Sequence, residues 1–188
     1  MARARWSRTP WKTLSSRPIY ENRWLRLRED VAEIPDGRHT IYGVVATHPA
    51  VGVLPFLDAD TVVLVGQYRY VARGFFWEMP TGAVQAGETE ERAAQRELAE
   101  EAGYEAGRLT RICAFHSSKS VVDETASIFL AEDLRPGAGP PDETEFIEVR
   151  AFPFDEVLRE VLRMVVGDEI KDAMTIVAVL HAARRRGR

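Results

Sequence analysis

The sequence predicts an α+β fold of the α/β/α sandwich type, in which a mixed β-sheet has helices on both faces. Strand-like runs come first, one strongly helical segment follows at residues 88–103, and further strand-like runs come after it. Two amphipathic helical patterns then end the chain. Residues 62–65 are apolar without interruption, which is typical of a central strand buried on both faces.

The composition is that of an ordinary single-domain globular protein. The chain has 188 residues, of which 45% are hydrophobic and 29% are charged. Its net charge of −4 gives no reason to expect nucleic-acid binding. The single cysteine, Cys113, excludes an internal disulfide and fits a reducing compartment. Because no run is long enough to span a membrane and no signal-peptide pattern is visible, we expect a cytoplasmic protein.

The N-terminal region predicts a hairpin. Residues 1–18 are basic and contain two tryptophans, and we expect a loose tail or a packed extension there, not a nucleic-acid arm. Strands are predicted at residues 24–28 and 38–47, with a Pro-Asp-Gly turn between them, so that residues 19–48 form a hairpin. This hairpin opens a single domain that we place at residues 19–183.

The remaining elements follow from alternation and helical periodicity. The further predicted strands span residues 51–56, 61–70, 109–115, 125–131 and 146–152. Helices are predicted at residues 154–166 and 172–183. Residues 134–142 are rich in proline and glycine, which indicates a mobile loop, and residues 184–188 are expected to be a solvated basic tail.

The central helix has clear end signals and an apolar stripe. Thr89 is an N-cap candidate, and Gly103 lies where a left-handed residue commonly ends a helix. Ala94, Leu98 and Ala102 share one face, so this face is expected to pack on the core.

The acidic residues of this helix indicate a metal site. Glu97 and Glu101 are four residues apart and lie on the same face, flanked by Glu100. Like charges at this spacing disfavour an isolated helix by about 0.2–0.5 kcal/mol, and a bound cation removes that cost. Oxygen ligands on a rigid helix suit Mg²⁺ or Mn²⁺. From helix chemistry alone, a solvated acidic face with Glu–Arg pairs is an equally good interpretation.

The spacing around the helix resembles the box of the Nudix hydrolases. Gly82 is followed after five residues by Glu88, and after seven more by residues 96–103, which match every fixed polar and glycine position. Tyr104 departs from the usual aliphatic residue. The resemblance implies the α/β/α Nudix fold and hydrolysis of a phosphoanhydride with a divalent cation.

The resemblance also implies roles for the box residues. Glu97 and Glu101 are the main metal ligands, and Glu100 is a ligand directly or through water. Arg96 orients these carboxylates, unless it forms an ordinary surface ion pair. The carbonyl of Thr81 comes near the metal. The box residues implied in catalysis are Arg96 and Glu101. Glu88 is either a charge at the helix N-terminus or an arginine partner.

The segments outside the box are similar to the ADP-ribose and nucleoside-diphosphate-sugar pyrophosphatase branch. These segments are residues 67–69, 77–82 and 167–175, together with the N-terminal hairpin. This similarity implies a homodimer through the hairpin and phosphate contact by Arg69, unless Arg69 is only a strand-end surface residue. Glu78 either binds substrate or supports its loop. The further candidates for substrate binding are Arg28 and Lys119; Lys119 either meets a phosphate or is solvated.

Members of this branch often carry the water-activating glutamate on the corresponding loop, so the resemblance implies a general base at the end of the proline- and glycine-rich loop. By position, Glu143 is the candidate base and Glu145 a further metal contact, although an acidic loop before a strand is the alternative interpretation. A base on a closing loop would complete the site and exclude water.

The expected function is divalent-metal-dependent hydrolysis of the pyrophosphate bond of a nucleoside diphosphate sugar. Residues 115–124 lack the proline–glycine segment of many ADP-ribose hydrolases, which favours GDP- or UDP-linked hexoses beside ADP-ribose. The alternatives are a housecleaning pyrophosphatase of nucleoside triphosphates and a non-catalytic nucleotide-sensing module.

Overall fold

The computed structural model describes residues 10–137, 146–163 and 169–188. The chain divides into two compact units. The first unit consists of Met1–His48 and Ser118–Glu124, and the second consists of Pro49–Ser117 and Thr125–Arg188. In chain order the elements are β1 (Lys12–Glu21), β2 (Arg26–Glu33), β3 (His39–Ala46), β4 (Ala50–Pro55), β5 (Thr61–Arg69), β6 (Gly74–Glu78), β7 (Thr81–Ala83), α1 (Glu90–Ala102), β8 (Tyr104–His116), β9 (Val122–Asp123), β10 (Thr125–Pro136), β11 (Glu148–Pro153), α2 (Phe154–Arg163) and α3 (Ala173–Arg186).

The first unit is a four-stranded sheet in the order β1-β2-β3-β9. The expected hairpin of β2 and β3 is present, and its turn places Gly37 at a φ of 85°, a left-handed conformation that favours glycine. Strand β1 pairs antiparallel with β2 along its whole length. Of the two alternatives for the N-terminal segment, the packed extension agrees with the structure from Lys12 onwards, because these residues pair with β2 through their backbone.

The second unit contains two sheets, β7-β4-β10-β8 and β11-β5-β6. Alternate side chains of β4 and β5 enter two different cores. Val53 and Val63 pack with α1, whereas Leu54 and Leu64 pack with α2 and α3. This alternation places helices on both faces, as the sandwich requires, and it confirms that β5 is buried on both faces.

Helix α1 begins and ends where the sequence indicates. Thr89 is the N-cap and accepts a hydrogen bond from the backbone N–H of Arg92 at 3.2 Å. Gly103 ends the helix in the left-handed region at a φ of 73°. The apolar stripe is buried as expected, so one face of α1 is fixed against the core, and Glu97 and Glu101 lie on the neighbouring face, where they are also buried.

One expectation for the C-terminal half is wrong, and a second is correct only in part. Residues 134–136 are the end of β10, where they pair with β8, and not the start of a loop. The basic tail is not simply solvated. Helix α3 continues to Arg186, whose guanidinium lies 3.7 Å from the ring centroid of Phe56, and Arg188 pairs with Asp60 and Asp155. Stacking and ion pairing therefore anchor this end.

Candidate active site

The two principal carboxylates of α1 are buried. Glu97 is 8% exposed and Glu101 is 7% exposed, and both lie on the side of α1 that approaches β7. A carboxylate taken out of water needs hydrogen bonds or a positive charge. Such burial contradicts the alternative of a solvated acidic face.

Strand β7 meets these carboxylates with its backbone. The N–H of Thr81 donates to Glu101 Oε2 at 2.8 Å. An ideal Cβ built on Gly82 would lie within 2.5 Å of three carboxyl atoms of Glu97. Any residue with a Cβ at position 82 would therefore force the Glu97 carboxylate out of its place, and glycine avoids this displacement.

Arg96 connects the acidic residues of the box. Its Nη1 donates to Glu97 at 2.7 Å and to Glu100 at 2.9 Å, and its Nε donates to Glu88 at 3.1 Å. The charge-assisted bond from Arg96 holds the pKa of Glu88 below its usual value, and Glu88 together with the other carboxylates raises the pKa of Arg96. The question left open for Glu88 is thereby answered in part: it is an arginine partner.

Arg69 and Glu78 form an ion pair beside the box. Arg69 donates to Glu78 Oε2 through Nε at 3.0 Å and through Nη2, and Glu78 is 5% exposed. Glu101 lies near enough to act on Arg69 electrostatically. The pair lines a pocket of about 300 Å³. The other lining residues are Ala72, Phe76, Thr81, Lys171 and Asp172.

The chemistry of this donor set fits a hard divalent cation. Glu97, Glu100 and Glu101 supply oxygen atoms from one rigid helix, and Gly82 leaves the space that a side chain would fill. Over residues 10–137, 146–163 and 169–188, no three His, Cys, Asp or Glu side chains form a preassembled metal cluster. Arg96 bridges two of the carboxylates instead.

The structure does not bring every candidate residue into this unit. Arg28 is on β2 in the first unit, where its Nε donates to Asp30 Oδ2 at 3.2 Å. Lys119 also belongs to the first unit and is exposed. Glu143 and Glu145 lie outside the described residues. Cys113 packs against a core cluster, and burial raises the pKa of its thiol.

Sequence reasoning missed the contribution of the segment before α3. Asp172 is the N-cap of α3, and with Lys171 it lines the pocket beside Arg69. The signal was present in the sequence, because an aspartate three residues before a threonine at the start of a helical pattern is a capping arrangement. The capping pattern does not, however, indicate that this end of the helix lies beside the pocket.

Comparison with known families agrees with this architecture. Residues 46–170 match the NUDIX domain model, and residues 11–45 match the nucleoside diphosphate sugar hydrolase N-terminal domain. The chain therefore belongs to the NUDIX domain family, as the box spacing predicted. More particularly, the match at residues 11–45 places it among the Nudix hydrolases that act on nucleoside diphosphate sugars.

Individual proteins show the same relationship. The chain is 34% identical to an ADP-ribose pyrophosphatase of Bacillus subtilis, over 90% of this chain and 91% of that protein. It is 30% identical to an ADP-ribose pyrophosphatase of Mycobacterium tuberculosis, over 90% of this chain and 82% of the relative. A methanol dehydrogenase activator of Bacillus methanolicus is also 30% identical, over 90% of this chain and 91% of that protein.

A solved structure shares the fold. The crystal structure of an ADP compounds hydrolase superimposes with a TM-score of 0.82, at 23% identity, over 95% of this chain and 96% of that one. This likeness confirms the predicted α+β Nudix fold. No helix among the described residues has both the length and the apolar character to cross a membrane.

Proposed function

We propose that this Nudix hydrolase cleaves the pyrophosphate bond of ADP-ribose or a related nucleoside diphosphate sugar, giving a nucleoside monophosphate and a sugar phosphate. One observation carries the proposal: buried Glu97 and Glu101 lie against β7, beside a pocket lined by Arg69. Two of the relatives, from Bacillus subtilis and Mycobacterium tuberculosis, are ADP-ribose pyrophosphatases, which favours an ADP-linked substrate over the GDP- and UDP-linked hexoses that residues 115–124 suggested.

Glu97, Glu100 and Glu101 would hold the divalent cation, Mg²⁺ or Mn²⁺, with the Thr81 carbonyl as a further contact. When bound, the cation neutralises charge on the pyrophosphate. Arg96 keeps the carboxylates oriented through its bonds to Glu97 and Glu100.

The remaining roles concern substrate and water. Arg69, held by Glu78, presents a guanidinium to the pocket, where it would contact a phosphate. Arg28 and Lys119 are further candidates for substrate contact. Glu143 would activate the attacking water, with Glu145 as an additional metal contact.

The enzyme would work as a homodimer in the cytoplasm. Every residue of β1 is exposed, and β1 is an edge strand of its sheet. Large apolar side chains of the first unit are also exposed. They are Trp11, Leu14, Ile19, Tyr20, Trp24 and Ile41. A second copy of the chain, pairing through the hairpin, would cover this surface; a monomer by sedimentation at micromolar concentration would contradict this.

A substrate panel tests the proposal. ADP-ribose, GDP-mannose, a UDP-hexose and ATP are incubated with enzyme and Mg²⁺ or Mn²⁺, and products are separated by chromatography. We expect AMP and ribose phosphate from ADP-ribose. Glu101→Gln should lower turnover by about 10³-fold or more, whereas Glu91→Gln, an exposed carboxylate on the same helix, should not.

Each other outcome has a clear meaning. Pyrophosphate released from ATP, with no cleavage of any nucleotide sugar, would replace the proposal with a triphosphate pyrophosphatase. Tight nucleotide binding without turnover in either metal would indicate a sensing module. Unchanged activity in Glu101→Gln would remove the metal-site assignment.

A further inference from the structure

The connection between β6 and β7 holds two parts of the site. It consists of Glu78, Met79, Pro80 and Thr81, which we call the site connection. At one end Glu78 pairs with Arg69, and at the other the N–H of Thr81 donates to Glu101 Oε2 at 2.8 Å. A small shift of this connection therefore moves the pocket arginine and a box carboxylate together.

A buried hydroxyl on α3 holds the middle of the site connection. The N–H of Met79 donates to Thr175 Oγ1 at 3.0 Å, and Thr175 is 0% exposed. Backbone groups buried away from water need a partner. For Met79, a side chain 96 residues further along the sequence supplies this partner.

The direction of this hydrogen bond is fixed by a carboxylate. Thr175 donates its own hydroxyl to Asp172 Oδ2 at 2.8 Å, and its backbone N–H donates to the same oxygen at 2.7 Å. Because the hydroxyl proton points to Asp172, an oxygen lone pair remains for Met79. The order of donation is thus Met79 to Thr175 to Asp172.

The segment that precedes α3, residues 169–172, also contacts strand β6. The N–H of Trp77 donates to the carbonyl of Glu169 at 2.9 Å. The N–H groups of Glu169 and Ile170 donate in turn to Glu160 Oε1 on α2, at 2.9 and 3.0 Å. The segment before α3 is therefore itself anchored, which a positioning element requires.

We infer that Thr175 and Asp172 are positioning residues for hydrolysis, which set the place of the site connection relative to Glu101 and Arg69. The inference rests on the proposed function. Asp172 also lines the pocket and interacts electrostatically with Arg69, so its carboxylate influences the pocket arginine as well as the site connection. Neither residue needs to touch the reacting atoms.

The test compares Thr175→Val, which keeps the shape and removes the hydroxyl, with Thr175→Ser, which restores the hydroxyl. The matched control is Ser127→Ala. Ser127 is 1% exposed and accepts from Arg111 at 2.9 Å, so the control also loses a buried hydroxyl acceptor, but away from the site connection. Asp172→Ala, which removes the acceptor of the Thr175 hydroxyl, provides a second variant if Thr175→Val does not fold.

Three experiments are done on each variant: kinetics, giving kcat and KM for the nucleotide sugar that wild type cleaves; calorimetry, giving Mn²⁺ binding; and hydrogen exchange at the Thr81 amide. We expect kcat to fall about 10- to 100-fold in Thr175→Val, because misplaced groups lose orientation. Mn²⁺ binding should weaken and the Thr81 amide should exchange faster. Thr175→Ser should return kcat to within about threefold of wild type, and Ser127→Ala should lower only Tm.

A purely structural role gives a different pattern. A lower Tm in Thr175→Val with unchanged kcat, unchanged Mn²⁺ binding and an unchanged Thr81 amide would overturn the inference. So would Thr175→Ser behaving like Thr175→Val, or Asp172→Ala leaving kcat, Mn²⁺ binding and the exchange of the Thr81 amide at wild-type values. If wild type cleaves none of the panel, the proposed function fails instead, and the two failures are distinguishable.

Discussion

Replacing Gly82 with alanine tests the geometry of the box most directly. The new Cβ would lie within 2.5 Å of three carboxyl atoms of Glu97. Contacts under 3.0 Å are essentially not found for real Cβ atoms, so the side chain of Glu97 or strand β7 must move. We estimate a displacement of about 1 Å, which typically costs about 10²-fold in rate when it misplaces a catalytic group.

The effect on stability should be smaller than the effect on rate. Displacing Glu97 weakens its 2.7 Å bond to Arg96, but Arg96 keeps Glu88 and Glu100. The loss should be about 1–2 kcal/mol, which corresponds to a decrease in Tm of about 2–8 °C for a chain of this size.

The assay measures kcat, Mn²⁺ affinity and Tm for Gly82→Ala, with Gly43→Ala as the control. A Cβ on Gly43 meets nothing within 4 Å, and its φ is not in the left-handed region. We expect kcat to fall about 10²-fold only in Gly82→Ala. Activity within twofold of wild type would refute the reasoning, since the carboxylate would then tolerate the displacement.

Three other perturbations follow from the ion pairs. Because Arg96 lowers the pKa of Glu88 below 4.5, Glu88 stabilises the fold above pH 4.5 and this contribution is lost as the pH falls through the lowered pKa. Urea unfolding should therefore show a Glu88→Gln deficit that shrinks on acidification; a deficit independent of pH would contradict this. Arg96→Lys cannot reach three carboxylates with one ammonium, so Mn²⁺ affinity measured by calorimetry should fall about 10- to 100-fold. Arg186→Ala removes the stacking on Phe56 and should lower stability by about 1–2 kcal/mol in calorimetry, with kcat unchanged.

The parts of the fold that could be predicted have local signals. The N-cap, the left-handed glycine and the apolar stripe of α1 all lie within 15 residues of sequence, from Thr89 to Gly103. Strand β5 was evident from its continuous apolar run. Such features depend on residues that are neighbours in the sequence. The spacing of the box residues then indicated the Nudix family.

The parts that escaped prediction depend on distant partners. Strand β1 has no buried residue, so it shows no apolar alternation, and only its pairing with β2 reveals it. Strand β7 has three residues and is defined by pairing with β4. Within the site, both Arg69 and Glu78 were recognised, but their ion pair depends on how β5 and β6 pair. The bond from Thr175 to Met79 joins residues that no local rule connects.

Because Arg96 bridges the acidic box, we expect that folding of this chain does not depend on metal binding, although the two equilibria are often coupled in metalloproteins. In small zinc domains the ion is needed for folding, because nothing else holds the ligands together. Here a guanidinium of the chain contacts Glu88, Glu97 and Glu100 and offsets their mutual repulsion. Under the proposed function, loading with the divalent cation would therefore change activity while leaving the folded population nearly constant. The supply of the cation would then set turnover and not the amount of folded protein.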